Sequence, residues 1–133
     1  MNTQVKIFLG VIAVLVLGTV VTVFVRGGAE NVASSKPSGY YDQFAQCLTD
    51  QGAVFYGTFW CPHCQNQKRM FGSSVKFVNY VECSTPDAQK TTPICIEKEI
   101  KGYPTWEFAD GSRLSGEIPL ATLAEKTSCE LPL

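Results

Sequence analysis

Nineteen consecutive uncharged residues, Ile7 to Val25 (IFLGVIAVLVLGTVVTVFV), constrain this chain of 133 residues more than any other feature. As a helix rising ~1.5 Å per residue the run reaches roughly 28 Å, close to the hydrocarbon thickness of a bilayer. Lys6 and Arg26 flank it. A cleaved secretory signal carries roughly 7–15 apolar residues followed by small ones. This run is longer and ends in Arg26, so residues 1–26 read as an uncleaved signal anchor with one transmembrane helix over 7–25. A cut at Gly27-Gly28-Ala29 is the alternative.

What remains is enough for one small domain. Gly27 to Gly39 (GGAENVASSKPSG) lacks periodicity and reads as a flexible linker over 27–39, leaving 40–133 as the folded domain. From Pro37 onward eight Lys/Arg stand against eleven Asp/Glu, a net charge of −3. The soluble part is therefore mildly acidic with no basic stripe, and no nucleic-acid partner is expected. Six cysteines in so short a chain, behind an apolar N-terminal run, indicate an oxidising compartment. Lys6 and Arg26 lie on opposite sides of the span, so charge alone orients it weakly. The cysteines place the C-terminal domain on the extracytoplasmic, periplasmic or extracellular, face.

Hydrophobic periodicity divides the domain. Tyr41, Phe44, Ala45 and Leu48 fall at helical spacing within Tyr40 to Gln51, and Gly52 follows as a stop. Ala53 to Phe59 is a buried strand. Cys61 to Phe71 is a helix with Pro62 in its first turn and Gly72 as C-cap. Lys76 to Glu82 is a second strand, and Ser84 to Thr91 is irregular. Thr92 is the expected N-cap of a helix reaching Ile100, ended by Gly102. Pro104 to Phe108 and Ser112 to Ser115 are strands joined at Asp110-Gly111, and Pro119 to Thr127 is the last helix. The order α-β-α-β-α-β-β-α predicts an α/β fold: a central mixed four-stranded sheet flanked by helices.

The chemistry concentrates at Cys61-Pro62-His63-Cys64, a C-x-x-C between a strand and a helix. Unpaired N–H groups and the positive end of the helix dipole stabilise a thiolate there. Cys61, at the very end and expected to be exposed, reads as the attacking thiol, and Cys64, one turn in, as the resolving one. His63 is the chain's single histidine. Protonated beside Cys61, it would favour the thiolate and make the disulfide more oxidising. Zinc would need a second close ligand pair, and Cys83 and Cys95 are too widely spaced for one. No metal and no cofactor is expected. Pro104 in Tyr103-Pro104-Thr105 is either an ordinary strand-opening trans proline or a cis proline presenting backbone to a peptide.

Phe59-Trp60-Cys61-Pro62-His63-Cys64 and Gly102-Tyr103-Pro104-Thr105 resemble the active site and cis-proline loop of the thioredoxin superfamily. The wider run is similar to the thioredoxin-like domain associated with vitamin K epoxide reductase homologues. That run takes in Gly52-Ala53, Tyr56-Gly57, Gln67-Lys68, Met70-Phe71-Gly72, Tyr80-Val81-Glu82-Cys83, Cys95 and Trp106, and the resemblance spans roughly residues 40–128. It implies a thioredoxin-like fold, a cis Pro104, and a structural disulfide between Cys83 and Cys95, with free buried thiols as the alternative. Trp60, Tyr103, Pro104 and Thr105 are candidates for a substrate surface beside Cys61, and Trp106 either lines that groove or fills the core. In that family the domain is often fused to a quinone-reducing membrane domain. A single span stands here instead, so a separate quinone-reducing membrane partner is implied. Cys47 and Cys129 are not covered, though an even count allows a second disulfide between them. The family's buried carboxylate, six residues before the first cysteine, is replaced by Phe55, and Glu82 or a water is a candidate substitute.

The function expected is disulfide formation in exported protein thiols. The alternatives are a membrane-tethered reductase or isomerase of the same fold, and a non-enzymatic thiol-based metal-binding module such as a copper carrier. A complete C-x-x-C on a helix N-terminus facing a proline loop disfavours the last.

Overall fold

The computed structural model describes residues 36–133, together with Asn2. The apolar run 7–25 and most of the linker lie outside the described residues. Among those described, no helix is long and apolar enough to cross a membrane.

Helix α1 (Asp42–Asp50) buries Phe44, Ala45 and Leu48, the stripe that its spacing predicts. Gly52 then turns the chain at φ +77°, where a Cβ would come 3.2 Å from that of Ala109. Strand β1 (Val54–Gly57) leads into helix α2 (Pro62–Phe71). Gly72, at φ +57°, closes α2 with its N–H on the Arg69 carbonyl.

The chain next forms a 3-10 turn over Gly72–Phe77, and strand β2 is only Tyr80–Glu82. Lys76 and Phe77 therefore do not belong to the strand expected from Lys76. The Val78 N–H turns back to the Val75 carbonyl, and the Phe77 carbonyl accepts the Thr49 hydroxyl, so pairing with β1 begins later. Helix α3 (Pro93–Glu97) also stops short of Ile100. Glu99 takes φ 53°, and the N–H groups of Glu99 and Ile100 bond back to the Ile96 and Cys95 carbonyls. That is a left-handed helix cap with no glycine. Thr92 is the N-cap residue of α3, as expected, but its side chain makes no capping bond, because its hydroxyl donates to the Glu82 carbonyl.

Strands β3 (Thr105–Glu107) and β4 (Arg113–Ser115) form the expected hairpin, and helix α4 (Leu120–Thr127) follows. The sheet order is β2-β1-β3-β4, parallel between β1 and β2 and antiparallel elsewhere. This is the mixed, thioredoxin-like α/β sheet.

Its core is aromatic. Phe55 stacks on Trp106 with centroids 4.9 Å apart, and Phe71 packs on both Phe44 and Trp106. Trp106 is thus core filling and lines no groove. Two disulfides brace the periphery. Cys83–Cys95 ties the end of β2 to α3, and Cys47–Cys129 ties α1 to the chain just beyond α4. Lys36 to Gly39, expected as linker, already engage the domain: the Gly39 N–H donates to Ser73 Oγ at 2.9 Å, and Lys36 Nζ reaches the Tyr41 hydroxyl.

Candidate active site

Strand β1 delivers the chain to the site and α2 carries it away. Cys61 is the N-cap of α2 and Pro62 its first residue, where a missing N–H leaves nothing unpaired. Cys61 Sγ accepts the Cys64 N–H at 3.3 Å, doing for this helix what a serine or aspartate oxygen does for others. The sulfur therefore sits where the helix concentrates its positive field. Cys61 and Cys64 are both free thiols.

Cys61 is not exposed as expected: only 5% of its surface is open. The loop before β3 covers it, with the Tyr103 carbonyl 3.8 Å from Cys61 Sγ. The Tyr103–Pro104 peptide is cis. The Pro104 and Thr105 side chains are buried. The Pro104 carbonyl accepts the Gly116 N–H, and the Thr105 hydroxyl donates to the Gly102 carbonyl. The side chains of Pro104 and Thr105, expected at a substrate surface, are therefore turned into the fold. On the other side Phe59 and Trp60 are exposed at 46% and 51%. Trp60 is held in place by its indole N–H, which donates to Ser84 Oγ at 3.0 Å.

Cys64 is fully buried. Burial, then the contact with Cys61, pushes its thiol up to about 12. Its sulfur packs on Gly57, where a Cβ would stand 3.0 Å away and also 3.1 Å from the Tyr80 ring. Phe55 fills the carboxylate position and is wholly apolar in its contacts, against Tyr80 and Trp106. The ionisable groups behind Cys64 lie elsewhere. Lys68, one turn further along α2, places its ammonium 3.4 Å from the centre of the Tyr80 ring. Burial pulls Lys68 down, while Glu82 and Cys64 oppose that shift. The Tyr80 hydroxyl donates to Glu82 Oε2 at 2.7 Å, and burial, then Glu82, raises the phenol. The other Glu82 oxygen accepts the N–H groups of Phe59 and Ser84, so this carboxylate also anchors the approach to Cys61.

His63 does not lean on Cys61. It is 69% exposed, with Nδ1 2.6 Å from Glu117 Oε1. The expected lone cation has a carboxylate partner instead, because Glu117, in the loop after β4, comes within reach of the exposed face of α2. Glu117 had no local signal in the sequence. Lys68 had one, its i+4 spacing from Cys64.

Cys83 and Cys95 are joined to each other, as are Cys47 and Cys129, so none of them is a ligand for metal at Cys61 and Cys64. Two adjoining thiols, one capping a helix and one buried beside an amine, suit thiol–disulfide exchange.

No protein-family model matches the chain. The chain is similar to thiol-disulfide oxidoreductase LTO1 of Arabidopsis thaliana, 47% identical over 102 residues that take in 74% of this chain. The match spans only 27% of that relative's own length. It is also similar to protein disulfide isomerase-like 5-1 of Oryza sativa subsp. japonica, 24% identical over 108 residues, 76% of this chain and 70% of the relative.

Proposed function

We propose that this chain, a disulfide oxidoreductase of thioredoxin-like fold, works in the oxidising direction, forming disulfides in exported proteins. The observation that carries the exchange chemistry is the Cys61 sulfur capping α2 beside the buried Cys64. The two relatives, named as a thiol–disulfide oxidoreductase and a protein disulfide isomerase-like protein, support that class of activity.

In the oxidised protein a substrate thiolate attacks Cys61 Sγ. The substrate–Cys61 bond forms, the Cys61–Cys64 bond breaks, and Cys64 leaves and takes up a proton. A second substrate thiolate attacks the substrate sulfur of the mixed disulfide, and Cys61 leaves as the thiolate that the helix terminus stabilises. Two electrons pass from substrate to protein. A separate quinone-reducing membrane partner, of the type found with vitamin K epoxide reductase homologues, takes them on. The run 7–25 anchors the domain on the extracytoplasmic face. Phe59, Trp60 and the Tyr103 backbone receive the substrate. The Pro62-His63 dipeptide, shared with strong bacterial disulfide donors, and the oxidising compartment that six cysteines call for favour this direction over a reductase.

Acid quenching of cells followed by alkylation of free thiols tests the direction. Cys61 and Cys64 are expected to be mostly oxidised at rest, and to become reduced when the membrane partner is removed. A pair held mostly reduced in otherwise normal cells would establish the reductase instead.

A further inference from the structure

We propose that Glu117 sets how oxidising the Cys61–Cys64 pair is, by holding the His63 imidazole as its counter-ion. The inference rests on the oxidoreductase reading and deepens it. Glu117 acts through His63 and is a positioning residue.

The placement of Glu117 is built. Oε1 lies 2.6 Å from His63 Nδ1 and accepts the Asn66 amide at 2.9 Å. The next residue of the loop is clamped from the same helix. The fully buried Gln67 donates to the Ile118 carbonyl at 3.0 Å and accepts the Ile118 N–H at 2.7 Å. His63, Asn66 and Gln67 fall at i, i+3 and i+4, so one face of α2 grips Glu117-Ile118 across more than fifty residues of sequence. The bonds from His63, then Asn66, hold the Glu117 carboxyl below the usual range, so it is charged at neutral pH. Of the other groups facing it, Arg69, on the next turn of α2, bonds to Asn66 Oδ1, and Cys61 lies at the N-terminal end of that helix.

A lone imidazolium beside Cys61 stabilises the thiolate, and with it the reduced form, so the disulfide is a stronger oxidant. An imidazolium paired with a carboxylate is close to neutral at the distance of the sulfur, and most of that gain is cancelled. The Pro62-His63 dipeptide is therefore tempered in this chain by a residue outside the motif.

The test is the equilibrium constant with glutathione redox buffers for the wild type, Glu117→Gln, His63→Gln and the double variant at about pH 5.5, where an imidazole carries its proton. With Glu117→Gln, the His63 cation loses its counter-ion. The disulfide should become more oxidising by about threefold to tenfold, about 15–30 mV for this two-electron couple. His63→Gln leaves Glu117 uncompensated and should make it less oxidising. The double variant should return close to the wild type, and 1 M salt should shrink every difference. Unchanged constants in Glu117→Gln, or additive effects in the double variant, would overturn the inference. Failure of the wild type to equilibrate with glutathione at all would instead remove the oxidoreductase reading.

Discussion

The backbone N–H of Cys64 points at the sulfur of Cys61, 3.3 Å away, so the helix that buries one thiol activates the other. The two are unequal. Cys61 retains a thin strip of accessible surface and Cys64 has none. An incoming thiolate can reach only Cys61. Cys61→Ser should therefore abolish exchange, whereas Cys64→Ser should accumulate mixed disulfides between Cys61 and substrate, visible as thiol-sensitive bands on a non-reducing gel. Trapping by Cys61→Ser and none by Cys64→Ser would reverse the roles.

Burial and the Cys61 contact lift the Cys64 thiol from the ordinary 9.0 to about 12. The reduced fold therefore binds this proton more tightly than the unfolded chain does. Stability from that source is complete below about pH 9 and is lost as pH rises from there toward about 12. Tyr80, raised by burial and by Glu82, acts in the same direction at still higher pH. The urea midpoint of the reduced protein should fall between about pH 8 and about pH 10.5, and less steeply in Cys64→Ala. Parallel curves for the two proteins would show that Cys64 is not desolvated.

The two disulfides close loops of very different length, 82 residues for Cys47–Cys129 and 12 for Cys83–Cys95. In the chain-entropy model the first stabilises the fold by about 4.5 kcal/mol and the second by about 3 kcal/mol. Cys47→Ala/Cys129→Ala should thus lower the oxidised protein's unfolding free energy more than Cys83→Ala/Cys95→Ala does. Equilibrium urea unfolding checks the order. The reverse order would mean that packing around Cys83 and Cys95, both fully buried, outweighs chain entropy.

Local pattern carried most of the architecture. The stripe Phe44, Ala45 and Leu48 and the turn at Asp110-Gly111 are each set by neighbours within a few residues, and the sequence places them well. What escaped it is tertiary. Lys76 and Phe77 have strand-like chemistry, but pairing with β1 starts only at Tyr80. Helix α3 ends at Glu97 because the chain turns at Glu99 and bonds back to Cys95, itself tied to Cys83. The exposure expected for Cys61 fails because the loop around Tyr103 lies over it. The charge expected from His63 meets a partner 54 residues away. The Cys61–Cys64 motif was legible because its spacing is its geometry; its electrostatic setting was not, because Glu117 and Tyr80 arrive from other elements.

Lys68 occupies the position from which Cys64 can be given its proton. When a substrate attacks Cys61, Cys64 departs, and a thiol that holds its proton up to about 12 is a poor leaving group as a bare thiolate. Phe55 has no proton to offer. Lys68 lies one turn from Cys64 on α2, and burial lowers it, so its ammonium gives up a proton more readily than a solvated lysine. Glu82 and Cys64 oppose that lowering in part, and the Tyr80 ring lies under the ammonium. Lys68→Met keeps the length and packing of the side chain and removes the proton. Single-turnover oxidation of a reduced dithiol peptide should slow by roughly tenfold or more at neutral pH. The initial attack of glutathione thiolate on a Cys64→Ser mixed disulfide, which releases Cys61 and not Cys64, should keep its rate. Equal slowing of both reactions would assign Lys68 a structural role, and no slowing of either would leave the proton to solvent.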